Sequence, residues 1–509
     1  MKTTTAHRTL GSLATLALIA AGAASAQSVT VDLNTTYQTI RGFGGMNHRV
    51  WTGYDLNASD RNLAFGNGPG QIGMTVLRIW VSDQESQWAL EVPTAKDVIA
   101  RGGIVYATPW SPPSSMRIPG GNNFKLDPSK YAAFAAHLNK FAKYMKDNGA
   151  PLYAISFANE PDWCYDWTCW TTTEVYNFTK NHAATLREHG TKVITAESFR
   201  YDKNYYNQVL NDASALKNID IIGAHFYASD AKTANSFFQY PLADGKGKER
   251  WMTEHYTESK GDADMWRGYI NTGDQDQTPK MDTVRALDVA YEIHRALVEG
   301  QFNNYTWWYI RRDYGPIKNS GANAGKVSKR GHCMAQYARF VRPGFVRVSA
   351  TKEPAAHMYV SAFKKGDSVV VAVVNRNVQR KLDFTVPLAK GIVSWRKYTT
   401  SSSKSVQDEG LVTATNGAFS TSFDQESITT LVGVSTGSAS VDREIRPFPA
   451  SGSFRATSLD GRDLGTLRIE PGQDLANAIA RTTSVRGLVL VRSLESGETW
   501  RMLLPESGR

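Results

Sequence analysis

Short β-rich apolar runs recur along the chain, at Ile40–Met46, Thr75–Val81, Gly103–Pro109, Leu152–Ala158, Val193–Ala196, Ile219–Tyr227, Arg250–Thr253 and Tyr305–Ile310. The gaps between them are long enough to hold a helix. One gap, Lys130–Asn148, carries Tyr131, Phe134, Leu138, Phe141 and Met145 at spacings of three or four residues, the apolar stripe of a helix that packs on a core. Strands alternating with helices in this way predict an α/β fold, a (β/α)8 TIM barrel over residues 41–345.

After Phe340 the period changes to two. Met358–Phe363, Ser368–Asn375, Leu382–Val386, Val393–Tyr398, Gly410–Ala414 and Ser427–Val432 read as strands with no helix between them. They predict a side β-sandwich over residues 346–434, completed by the amino-terminal segment 27–40, in which Val29–Leu33 also alternates. The linker-like stretch Ser435–Ser440 then opens a third composition, with ten arginines and no lysine from Ser435 to Arg509. Leu464–Ile469, Gly487–Arg492 and Thr499–Leu504 predict a small carboxyl-terminal β-rich module over residues 435–509, whose role the pattern does not assign.

Residues 1–26 stand outside the fold. Lys2 and Arg8 precede the apolar stretch Leu10–Ala23, and Ala24-Ser25-Ala26 supplies the small residues of a cleavage site, so a signal peptide removed before Gln27 and a secreted protein are expected. The apolar stretch is too short for a comfortable membrane span. Three cysteines are too few for a disulfide scaffold. Cys164 and Cys169 either form a short bridge that stiffens their loop or remain apart, and Cys333 would be left unpaired. No His or Cys cluster has zinc-ligand spacing, and no glycine-rich phosphate cradle is present, so neither metal nor cofactor is expected. The net charge of +10 suits an anionic polymer but is most simply a solvated surface. The expectation is a monomer with neither a nucleic-acid nor a membrane partner.

Chemistry concentrates at the ends of two predicted strands. Ser156-Phe-Ala-Asn-Glu-Pro161 and Trp251-Met-Thr-Glu-His-Tyr256 each place a glutamate, Glu160 or Glu254, where a barrel strand delivers side chains to the catalytic rim. Two carboxyl groups converging on one cleft are what glycosidic bond cleavage requires, one as proton donor and one as nucleophile or water activator. Glu197, in Ala-Glu-Ser-Phe, is a third acid at this rim, and spacing alone does not remove it. Trp51, Trp80, Trp110, Trp163, Trp167, Trp170, Trp307 and Trp308 cluster near strand ends, where indole faces suit pyranose rings, although most tryptophans pack in cores.

Together with Gly42-Phe-Gly-Gly-Met-Asn-His48, Trp307-Trp-Tyr-Ile-Arg-Arg-Asp-Tyr-Gly315 and Ser328-Lys-Arg-Gly331 through Arg339–Gly344, these motifs resemble the bacterial glucuronoxylanases of glycoside hydrolase family 30, subfamily 8, over residues 28–434. The resemblance implies a barrel fused to a side β-domain, and internal cleavage of glucuronoxylan with retention of configuration. It makes Glu160 the general acid/base and Glu254 the nucleophile, and it gives Glu197 no catalytic role. Asn159 would meet the sugar 2-hydroxyl, Arg78 would hold Glu254 ionised, and Tyr227, rather than its neighbour His225, would contact the nucleophile. Trp110 and Trp308 are the preferred stacking platforms. Tyr256, Ser259, Trp308, Tyr309, Arg312 and Tyr314 match the positions that hold the glucuronic acid branch. Asp313 departs from the family, which usually has serine there; beside Arg312 it either weakens attraction for an acidic branch or points outward.

Two other readings stay open at this stage. One is a family 30 hydrolase acting on undecorated xylan or other β-glycans, and the other is a non-catalytic carbohydrate-binding protein that keeps the aromatic cleft.

Overall fold

The computed structural model describes residues 27–256 except 121–123 and 231, then 264, 266 and 286–435 except 378–379, 386–391 and 416, followed by 452–458, 463–470, 478–479, 487–494 and 499–504. The predicted signal segment lies outside them. The chain divides into two compact units, Met1–Ala439 and Ser440–Arg509.

In the first unit the strand β1 (Gln27–Thr39) leads into a closed parallel barrel of β2 (Gly42–Met46), β3 (Val76–Val81), β4 (Ile104–Pro109), β5 (Ala154–Ser156), β6 (Lys192–Ser198), β7 (Ile221–His225), β8 (Glu249–Glu254) and β9 (Asn304–Trp307). β9 pairs back onto β2 to close the ring. Every predicted barrel run overlaps its strand; five contain it whole, whereas β6 and β8 extend past the predicted run at both ends and β9 begins one residue before it. The helix expected between β4 and β5 spans Tyr131–Asp147 and buries the predicted stripe of Tyr131, Phe134, Leu138, Phe141 and Met145.

Side chains plug the lower part of the barrel: Val76, Tyr106, Ala154, Ile194, Ile221 and Trp251 form a fully buried cluster inside it. The Tyr106 hydroxyl, deep in that plug, donates to the Thr253 carbonyl at 2.9 Å. With the lower end filled, polar groups can gather only at the carboxyl ends of the strands. β2 must lie close to its neighbours, which is why its sequence is Gly-Phe-Gly-Gly. A Cβ on Gly44 would stand 1.9 Å from the Val76 carbonyl oxygen.

The remaining strands are β10 (Val346–Ala350), β11 (Met358–Lys365), β12 (Ser368–Asn375), β13 (Arg380–Thr385), β14 (Ile392–Thr400), β15 (Gln407–Thr413), β16 (Ala418–Phe423) and β17 (Ser427–Ser435). With β1 they run in the order β15-β14-β17-β12-β11-β10-β1-β13-β16, the expected side β-domain, its two parts joined through β1, whose Gln27–Thr30 stretch pairs with β13 and whose later residues pair with β10. The long β1 is irregular in register between Asp32 and Thr39. The sheet encloses a core of its own, in which Val29, Val31, Val371, Phe384, Trp395, Phe419 and Leu431 are buried together. Gln336 and Thr430, bonded through the Gln336 carbonyl at 2.7 Å, and the buried Arg376–Asp288 pair at 3.0 Å tie the sheet to barrel helices.

The second unit contains β18 (Gly452–Ser458), β19 (Asp463–Ile469), β20 (Gly487–Ser493) and β21 (Thr499–Leu504), antiparallel in the order β19-β18-β20-β21 around Phe454, Ala456, Ile469, Ile479, Val489 and Val491. Ser435, read from the sequence as the first residue of this module, instead ends β17 opposite Ile392.

Candidate active site

Six neighbouring strands, β3 to β8, bring one polar network to the upper rim, and a buried arginine organises it. Arg78, on β3, is 0% exposed. Its Nη2 donates to Asn159 Oδ1 at 2.7 Å and to Glu197 Oε2 at 3.0 Å, its Nη1 donates to Glu254 Oε2, and its Nε reaches Thr108 Oγ1 at 3.4 Å. A buried cation without partners would cost several kcal/mol, roughly, so the two carboxylates are what permit it here. Glu197 also accepts from Thr108 Oγ1 at 2.7 Å. Burial works to raise its pKa, but Arg78 and His225 prevail and hold it at about 2. Glu197 is thus an ionised anchor for Arg78 and His225, with no face open to the cleft.

Glu160 has the opposite surroundings. It follows β5 in a left-handed backbone conformation, φ 44°, fixed by its N–H donating to the Glu197 carbonyl at 2.9 Å. Its Oε1 lies 2.8 Å from His225 Nδ1, and its Oε2 accepts from Trp167 Nε1 at 2.7 Å. Burial first, and the charge of Glu254 second, push Glu160 up to about 7. His225 is pulled down by burial but held up at about 9 by Glu254, Glu160 and Glu197, so its ring is cationic at neutral pH and both nitrogens donate.

Glu254, at the end of β8, accepts from the Tyr227 hydroxyl at 2.7 Å as well as from Arg78. Burial raises Tyr227 well above the usual phenol range, so it remains a donor. One carboxylate oxygen of Glu160, one of Glu254 and a ring nitrogen of His225 all lie within 4.8 Å of one another. That spacing resembles a metal site, but Arg78 already occupies Glu254 and the imidazolium offers no lone pair. Beside them Asn159 has a buried Nδ2 with no partner, its amide orientation set by the Arg78 bond to Oδ1. An unpaired donor at this position is suited to a ligand hydroxyl.

An aromatic wall surrounds these groups. Trp110 and Trp308 pack with Met46 and Tyr309, and the Arg78 guanidinium lies 4.7 Å from the Trp110 ring centroid. Both indoles are nearly buried, whereas Trp51, stacked on Trp167 at 5.3 Å, is 38% exposed and presents the broadest open face. Trp170 instead belongs to the outer core with Tyr131 and Phe178. Cys164 and Cys169 are bonded in the loop that carries Trp167.

To one side of the wall, Tyr256 and Tyr314 stack at 4.6 Å, and the Arg312 guanidinium stands 5.5 Å from the Tyr309 ring centroid. Among the described residues no carboxylate pairs with Arg312. Asp313 is exposed and accepts from Ser320 Oγ at 2.5 Å, so it points away from this cluster. Ser259 lies outside the described residues.

The chain is 42% identical over 418 residues to the glucuronoxylanase XynC of Bacillus subtilis strain 168, an alignment covering 80% of this chain and 92% of the relative. It belongs to glycoside hydrolase family 30, subfamily 8. Solved structures agree. The family 30 endoxylanase of Clostridium papyrosolvens C71 matches with TM-score 0.68 and 35% identity over 80% of this chain and 99% of that one. The family 30 subfamily 8 xylanase Xyn30A of Clostridium acetobutylicum matches with TM-score 0.68 and 33% identity over the same shares. No family model matches the chain.

Three site features of this family 30 hydrolase were not found by sequence reasoning. Trp167 was noted only as one indole among several, although its N–H is bonded to Glu160. Thr108 carried no signal at all. His225 was set behind Tyr227, yet it touches Glu160 and Glu197 and comes within 3.9 Å of Glu254. Its place beside Tyr227 at the end of β7 was the available clue, because a side chain two residues away on a strand faces the same side.

Proposed function

We propose that this hydrolase is exported and cuts glucuronoxylan internally at β-1,4-xylosidic bonds, by a retaining double displacement directed by the glucuronic acid branch. The observation that carries the mechanism is the approach of Glu160 and Glu254 oxygens to within 4.8 Å. A direct nucleophile needs carboxyl groups about 5–5.5 Å apart, whereas an interposed water needs about 6.5–9.5 Å.

Glu254, paired with Arg78 and oriented by Tyr227, attacks the anomeric carbon while Glu160, protonated below about pH 7, gives its proton to the leaving oxygen. The glycosyl ester cancels the charge of Glu254, which is the second cause of the raised Glu160 pKa. Glu160 then holds its new negative charge more readily, and accepts a proton from the water that breaks the ester. Asn159 Nδ2 donates to the 2-hydroxyl, a bond that strengthens as positive charge develops at the ring.

The branch reading is supported by Arg312, Tyr314, Tyr256 and Tyr309 gathered beside the cleft, and by the name of the Bacillus relative. Ser259 would add a hydroxyl. Xylan is then neutral except at the group that Arg312 meets. Export is supported by the composition of residues 1–26, and no described helix is long and apolar enough to cross a membrane. The deciding experiment is hydrolysis of glucuronoxylan beside linear arabinoxylan, with the anomer of the first product read by NMR. The expected result is β-anomer, and cutting of the branched polymer far faster than of the linear one. An α-anomer would exclude double displacement, and equal cutting of both polymers would exclude branch direction.

A further inference from the structure

At the end of the barrel opposite the catalytic cleft, β1 and β10 meet the loops entering β8 and β9 and leave a hollow of about 300 Å³. Arg250, at the start of β8, lines it, while Glu254 at the other end of the same strand faces the cleft. A hollow of this size suits one sugar ring rather than an oligosaccharide.

Its charges do not cancel. Arg250 is paired with Asp244, and Lys352 with Glu299 at 3.4 Å. Arg347 remains. It is 4% exposed, and its Nε donates to Gln38 Oε1 at 2.9 Å, but its terminal nitrogens have no acid or carbonyl partner among the described residues. Burial lowers its pKa to about 10, as expected for a cation stripped of water and not fully compensated. Its guanidinium carbon lies 3.7 Å from the ring centroid of Tyr37, which is 41% exposed. Gln38 fixes the pair, because its own amide donates to the Leu297 and Phe302 carbonyls at 2.6 and 3.1 Å.

A rigid guanidinium with free N–H groups recognises a planar carboxylate, and an open phenol face beside it accepts the apolar side of a pyranose. We propose that this hollow is a second, non-catalytic site that holds a uronic acid branch of the polysaccharide through Arg347 and Tyr37. The assignment rests on the glucuronoxylan reading above. Because it faces away from the cleft, the site would engage a different stretch of polymer from the one being cut, and would raise residence on the polysaccharide by tethering.

The test is calorimetric titration of the Glu254→Ala chain with a xylo-oligosaccharide bearing one glucuronic acid. Tyr37→Ala and Arg347→Gln, each added to that chain, should weaken one binding site about tenfold, the loss expected from one charge-assisted contact. Arg312→Ala should not affect that site. Tyr37 is exposed, so its substitution reports even if Arg347→Gln does not fold. With Glu254 intact, Tyr37→Ala should lower activity on insoluble glucuronoxylan and leave activity on the short oligosaccharide unchanged. Binding unmoved by Tyr37→Ala, or loss of every site with Arg312→Ala, overturns the proposal, as does inorganic phosphate bound as tightly as the sugar. Failure of the underlying reading looks different, since the unsubstituted enzyme would then leave glucuronoxylan uncut.

Discussion

Glu160 and Glu197 are both buried glutamates touching His225, yet one is held near 7 and the other near 2, and the difference is Arg78. Activity should therefore fall on the alkaline side with a midpoint near pH 7, as Glu160 loses the proton it must donate; a pH profile of kcat/KM on a branched oligosaccharide checks this. The same shift acts on stability. Glu160 is about 7 in the fold against an ordinary 4.5, so between those values the unfolded chain ionises and the folded one does not, and stability drains away as pH rises through that window. Glu160→Gln removes the penalty and should be more stable than the parent at pH 8, by about 1–3 kcal/mol in denaturant titrations, while losing most of its activity. Glu197→Gln should do the reverse, leaving Arg78 under-compensated and costing about 3 kcal/mol. Arg312→Ala should reduce kcat/KM on glucuronoxylan roughly thirty- to a hundredfold, corresponding to about 2–3 kcal/mol, less where water screens the branch, and should leave slow cutting of linear xylan unchanged. The sequence placed the carboxyl groups at strand ends because a rim position follows from a strand boundary. It left Glu197 unresolved because its role is decided by three hydrogen bonds from Arg78, Thr108 and His225, which come from three other strands and have no mark in local spacing.

At the level of elements, barrel strands were readable because a strand buried on both faces is a run of apolar residues, as at Thr75–Val81 and Ile219–Tyr227. β10, β16 and β18 were missed. β16, Ala-Phe-Ser-Thr-Ser-Phe, buries only Phe419, Thr421 and Phe423, and its serines read as a loop. β10 and β18 present only one or two large apolar side chains each among small, polar and charged residues. The glycines of β2 carry the clearest element-scale prediction. Gly44→Ala would drive a methyl group into the Val76 carbonyl and should cost at least about 3 kcal/mol in thermal or chemical unfolding. Gly53→Ala, whose new methyl meets nothing within 4 Å, should cost only about 1 kcal/mol for its φ of 78°.

For the whole molecule, the first unit ends after β17, so a chain stopped at Ala439 should keep one cooperative thermal transition and full activity on glucuronoxylan. A cut after Gly433 would instead remove Val434 and Ser435, which pair with Ser394 and Ile392, and should lower the melting temperature. The central place of β1 has a different consequence. Thr30 bonds to Thr351, 321 positions away, and the neighbouring β13 lies further still along the chain. A nascent chain emerging from the ribosome holds its first sheet strand long before either partner exists, and nothing nearby can substitute. Completion of this part of the sheet must wait for β13, which favours slow folding. Once closed, the same arrangement clasps the barrel at both of its ends, so that unravelling from the amino terminus has to break the middle of a sheet. A protein built this way should resist proteolysis through the height of its unfolding barrier rather than the depth of its equilibrium.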